Sequence, residues 1–64
     1  MLYAVYFRWC WALYRNKREA MKQARTNAKM GTFVEVWSHV DVPEISAWDW
    51  PTFVIGATRI YPAQ

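Results

Sequence analysis

Sixty-four residues carry a formal net charge of +3, one cysteine, one histidine and twelve aromatic side chains. A chain of this length predicts one domain, and such a domain buries only about 60% of its unfolded surface. One thiol excludes an internal disulfide, and a single histidine leaves no cluster for a structural metal, so aromatic mass must do what a staple would otherwise do.

The first apolar stretch, Leu2 to Tyr14, spans 13 residues with Arg8 near its middle. That falls short of the ~20 apolar residues of a membrane span. A secretory signal carries its charge before the apolar run, whereas here the positive charge follows it. The sequence therefore predicts a cytoplasmic chain with no membrane partner, and the free Cys10 agrees with a reducing compartment. Residues 2–9 are rich in β-formers and contain no breaker, so they read as a strand. Tyr3, Val5, Phe7, Trp9, Trp11 and Leu13 are all large, but a 13-residue strand exceeds the common length of about 3–10. A bend, bulge or change of structure is expected around Arg8–Cys10. A hairpin is disfavoured there, because no Gly, Asn, Asp or Pro is present to turn it.

Residues 16–30 predict a helix. Asn16 followed three residues later by Glu19 approximates a capping box. Ala20, Met21, Ala24 and Ala28 then form one apolar face, and Gly31 stands where a glycine ends helices. Leu13 and Tyr14 extend the same face backward, so a start near Trp11 is the alternative. From 32 to 40 the period changes to two, with Val34, Val36 and Val40 on one face and Phe33, Glu35, Trp37 and His39 on the other. Residues 41–51 hold two prolines and three acids and read as a loop. Residues 52–61 read as a last strand, with Gly56 as a bulge position. The expected architecture is α+β: a β-α-β-β domain with a three-stranded open sheet and one helix on one face.

Charge is segregated along the chain. Residues 1–32 hold seven basic residues and one acid, while residues 33–64 hold one basic residue and four acids. On a helix, Arg18, Lys22, Arg25 and Lys29 fall within about 60° of one another. They form either a solvated face or a stripe that meets an anionic partner. The second face of the sheet poses a similar choice. Twelve aromatics would hide on the order of 2000–3000 Å² if all were buried. Either part of that surface stays exposed for docking, or the 41–51 loop folds back over it. Trp48-Asp49-Trp50 in that loop is correspondingly an anchor of the interface type or a plug for the open sheet.

Catalysis fails on inventory. Cys10 and His39 stand on different elements, no glycine-rich phosphate loop exists, and the carboxylates form no pair pattern. His39 with Asp41 falls short of the three or four ligands zinc takes. No enzymatic activity, metal or other cofactor is expected. The leading expectation is a protein-binding module steered by Arg18, Lys22, Arg25 and Lys29 and anchored by Trp37, Trp48 and Trp50. In size and composition it resembles the small inhibitors that phages and mobile elements direct at host nucleic-acid-processing enzymes or effector complexes. A nucleic-acid binder using the same stripe with bases stacked on sheet aromatics is the alternative. A structural homo-oligomer, joined through an exposed aromatic sheet face, is the third reading.

Overall fold

A computed structural model describes residues 1–31 and 33–62. It is an α+β fold built on one antiparallel sheet. Strands β1 (Leu2–Phe7) and β2 (Cys10–Tyr14) are followed by helix α1 (Lys17–Ala28) and strand β3 (Val34–His39). A 3-10 turn at Ile45–Ala47, helix α2 (Trp50–Ile55) and strand β4 (Thr58–Tyr61) complete the chain. The sheet order is β2-β1-β3-β4, so it has four strands where the sequence predicts three.

The extra strand arises at Arg8–Trp9. Phe7 pairs with Cys10, leaving a two-residue hairpin loop. Both loop residues take positive φ, 51° at Arg8 and 68° at Trp9. That is the type I′ geometry whose twist matches flanking strands, normally supplied by Asn-Gly. The expectation against a hairpin is therefore corrected: the long apolar run turns back on itself without a turn residue. The pairing of β1 with β2 and β3 evidently outweighs the cost of two side chains in the left-handed region, about 1–2 kcal/mol each.

Helix α1 forms where the sequence places it. The Asn16 side chain accepts from the backbone N–H of Arg18 at 2.8 Å and of Glu19 at 3.4 Å, which satisfies two of the helix's orphan donors. Gly31, at φ 75°, takes the left-handed conformation after the helix end. The expected strand over 32–40 is observed over Val34–His39, and Thr32 lies outside the described residues. Ala20 and Ala24 bury their small side chains against Val5, Val34 and Val36 to form the first core. Small residues on the helix let it approach the sheet closely. Val40 does not join this face: it lies beyond the strand and is exposed. Ser38 takes the inner position instead, its hydroxyl donating to the Thr58 carbonyl at 3.5 Å.

The C-terminal third departs furthest from expectation. Residues 52–61 are not one strand, because Trp50–Ile55 is helical and only Thr58–Tyr61 is extended. Asp49 caps α2 and Pro51 occupies its first turn, a position where proline loses no hydrogen bond. Gly56 ends this helix and is not a sheet bulge. The irregularity in pairing lies instead between Val36 and Trp37 on β3. The segment from Val42 to Ala57 packs on the sheet face opposite α1, where Leu2, Ala4, Ile45 and Phe53 form a second core. The sheet is thus covered on both faces. Phe53 is fully buried, so Phe53→Ala should cost about 3–5 kcal/mol. A domain of this size has about 3–10 kcal/mol in total. Chemical denaturation should show the variant unfolded or near its midpoint without denaturant.

Candidate docking surface

The second face carries a connected set of rings. Trp50 lies nearly parallel to Phe53 at 5.6 Å between centroids and meets Tyr6 at 4.5 Å. Trp11 touches both Trp50 and Phe53, at 5.4 and 5.1 Å. Trp37 meets Trp50 edge-on at 6.0 Å. His39 continues the set toward Phe53 and Trp48, at 5.2 and 5.4 Å. Such pairs contribute about 0.5–1.5 kcal/mol beyond area burial. Trp37, Trp48 and Trp50 are therefore half-buried members of the second core. Of the two sequence readings of the 41–51 loop, this packing favours the plug over the exposed anchor, and Trp37 lies under the same cover.

Polar groups on this face are matched to partners. Glu35 accepts from the Trp37 indole N–H at 3.2 Å and from the Arg59 guanidinium at 3.4 Å. His39 Nδ1 lies 2.6 Å from the Val40 carbonyl, so that nitrogen carries the proton and donates. Its Nε2 faces Gly56, where an added Cβ would approach it to 2.9 Å. Glycine at 56 thus answers to the histidine ring packed against it. Cys10 lies exposed on β2, and nothing brings it to His39 on β3. Among the described residues no group of three His, Cys, Asp or Glu side chains could hold a metal ion.

The ring set does not stop at Tyr6. At the hairpin end, Tyr6, Arg8, Trp9 and Phe33 line a concave surface of about 370 Å³ that is mostly apolar. Here the covering segment has ended. Trp9 is 90% exposed and Phe33 65% exposed. The Arg8 guanidinium lies 5.2 Å from the Phe7 ring centroid, within cation–π range. Sequence reasoning placed Phe33 on the sheet face away from the helix but missed Trp9 as a surface aromatic. The signal was the overlong apolar run, since a turn within it must expose whatever residues it contains.

Arg18, Lys22, Arg25 and Lys29 are all exposed, on the side of α1 away from Ala20 and Ala24. Ion pairs in the structure involve other residues, Arg15 with Asp41 and Glu35 with Arg59. Asn27 of α1 lines a groove together with Phe7 and Cys10, which sets the C-terminal end of the helix beside the hairpin. The C-terminal end of the cation stripe thus lies toward the hairpin end of the molecule, on the α1 side of the sheet.

The cap bonds of α2 bear on the acidity of Asp49 on the covering segment. The Thr52 hydroxyl and then its backbone N–H, 3.0 Å from the Asp49 carboxylate, hold that carboxyl below its ordinary value of 3.8. A lowered folded-state pKa gives stability that is present above the ordinary value and lost as pH falls through the lowered one. Asp49→Asn retains an equally good cap without that titration. Thermal midpoints measured from neutral to strongly acidic pH should therefore fall less steeply for Asp49→Asn than for the natural chain; equal slopes would remove Asp49 from the acid transition. The chain matches no family model, no curated protein and no solved structure, so its function is argued from its own residues.

Proposed function

We propose that this chain is a small non-enzymatic protein-binding module whose docking surface is the hairpin end of the sheet. Trp9 is its anchor, with Phe33 and Tyr6 beside it, and the stripe of Arg18, Lys22, Arg25 and Lys29 steers it toward an acidic partner surface. The observation that carries this reading is Trp9 itself. A large indole, 90% exposed, sits at φ 68° in a turn that asparagine and glycine would make with less strain. Left-handed conformations at bulky residues are unfavourable and tend to occur where function holds them. Trp is also the residue type most enriched in interface hot spots. Basic residues nearby raise the rate of encounter more than the final affinity.

The size of the chain and its charge segregation fit an inhibitor of the phage or mobile-element type, docking on a host nucleic-acid-processing enzyme or effector complex in the cytoplasm. His39 packs its ring in the second core and Cys10 stands apart from it, which favours occupancy of a surface over chemistry. Direct nucleic-acid binding is the second reading, favoured by the four exposed cations on one helix face. Its stacking platform shrinks to Tyr6, Trp9 and Phe33, since Trp37 packs under residues 42–57. Homo-oligomerisation through the open aromatic face loses its surface for the same reason.

Three measurements test the proposal. Replacing Arg8-Trp9 by Asn-Gly should raise stability by about 1–2 kcal/mol through relief of turn strain, with partner binding lost. Affinity capture from the source cells after nuclease treatment should retain a protein on the natural chain and lose it on Trp9→Ser. Recovery of nucleic acid alone, or equal retention by Trp9→Ser, would overturn the reading. Lys22→Glu with Arg25→Glu should slow association and leave most of the dissociation rate unchanged.

A further inference from the structure

Strand β2 is the outermost strand on its side of the sheet, with β1 as its one neighbour. A two-residue hairpin makes Phe7 and Cys10 a hydrogen-bonded pair. The register Val5–Ala12 and Tyr3–Tyr14 follows from it. The backbone groups of Cys10, Ala12 and Tyr14 therefore point to β1, and those of Trp11 and Leu13 point outward. Among the described residues, none of the turn, loop and cap hydrogen bonds reaches Trp11 or Leu13. From Cys10 to Tyr14 the strand has no charge and no proline. Natural edge strands normally carry such residues to prevent pairing. This edge has none of those protections.

Grooves lie on both sides of it. On the second face Trp11, Leu13, Ser46 and Trp48 line a space of about 280 Å³. On the α1 face a space of about 160 Å³ runs beside Phe7, Cys10, Ala12 and Tyr14. A strand added to an edge binds by main-chain hydrogen bonds and sends alternate side chains to the two faces. A second β2 laid antiparallel on this edge would send its Trp11 and Leu13 to the second face and its Ala12 to the α1 face.

We infer that β2 pairs with β2 of a second copy of this chain, antiparallel and centred on Ala12, giving a continuous eight-stranded sheet. Trp11 then lies opposite Leu13 of the second copy, and Leu13 opposite its Trp11, as two hydrogen-bonded pairs. Ala12 faces its own copy in a non-hydrogen-bonded pair, where the close spacing suits a small side chain. Cys10 falls opposite Tyr14. No like charges meet in the paired segment. The contact uses the sheet edge and not the aromatic face, and it leaves the surface formed by Tyr6, Trp9 and Phe33 for a different partner.

This register is testable through cysteine placement. Residues in a non-hydrogen-bonded pair have Cα atoms about 4.5 Å apart, inside the ~4.4–6.8 Å span of a disulfide. Cys10 and its copy, four residues out of register, are about 14 Å apart and out of reach. With Cys10 replaced by serine, Ala12→Cys should form a reducible cross-linked dimer under mild oxidation. It should do so at least about tenfold faster than the natural chain, because paired thiols react at raised effective concentration. Sedimentation of the natural chain should show a concentration-dependent dimer, and Ala12→Lys, at an exposed position, should be a folded monomer. A natural chain that stays monomeric at all concentrations overturns the inference. So does a dimer that Ala12→Lys leaves intact, or one in which Ala12→Cys cross-links no faster than Cys10. Loss of partner capture by Trp9→Ser bears on the docking surface alone, so the two readings can fail separately.

Discussion

The packing of Trp50 and Phe53 on the sheet face opposite α1 is the contact on which the rest of this molecule depends. A four-stranded sheet with one helix leaves half its apolar surface in water, and a chain of 64 residues has little stability in reserve. The chain answers with a 3-10 turn and a short helix within residues 42–57, whose rings pack against those of Tyr6, Trp11 and Trp37 on the sheet. Each element there is weak alone. A six-residue helix is far below the length that is stable in isolation. Asp49 starts it, Pro51 fixes its first turn, and Trp50 and Phe53 then fasten it to Tyr6, Trp11 and Trp37. Remove those rings and the cap has nothing to hold in place.

Covering the second face determines what remains for function. Trp37, Trp48 and Trp50, each half-buried, pack against the second core, and so does the ring of His39. The aromatic row emerges only past Tyr6, where Trp9 and Phe33 stand beyond the end of the covering segment. A strained turn places an indole there, at the same end as Lys29 of the cation stripe. The fold thus separates its aromatics into a structural set and a displayed set by one simple device, the length of the segment laid across the sheet.

Much of this was legible in the residues, for identifiable reasons. The helix could be read because Asn16, the alanine face and Gly31 each give a local signal that tertiary packing did not have to override. Strand β3 could be read because its valines alternate. The hairpin could not, because turn prediction looks for residues comfortable at positive φ, and here Arg8 and Trp9 are held there by strand pairing on both sides. Helix α2 was mistaken for strand because Phe53, Val54 and Ile55 are β-formers by propensity, and the deciding contacts come from β1, β2 and β3. Propensity is a weak guide where a short segment packs into a core. The choice of anchors followed directly: Trp48 and Trp50 stood in a supposed loop and Trp37 on a sheet face supposed open, while Trp9 lay within a supposed strand and was not singled out.

The central claim is that residues 42–57 are an integral layer of the fold and not a loop resting on it. Amide hydrogen exchange under native conditions tests this most directly, since it resolves local opening from global unfolding. The backbone N–H of Phe53, bonded to the Asp49 carbonyl at 3.1 Å, should exchange with the same opening free energy as the amides of Ala24 in α1 and Val36 in β3. If Phe53 exchanges by local opening while Ala24 and Val36 remain protected, the second layer is dispensable. The assignment of Trp37, Trp48 and Trp50 to the core would then be wrong.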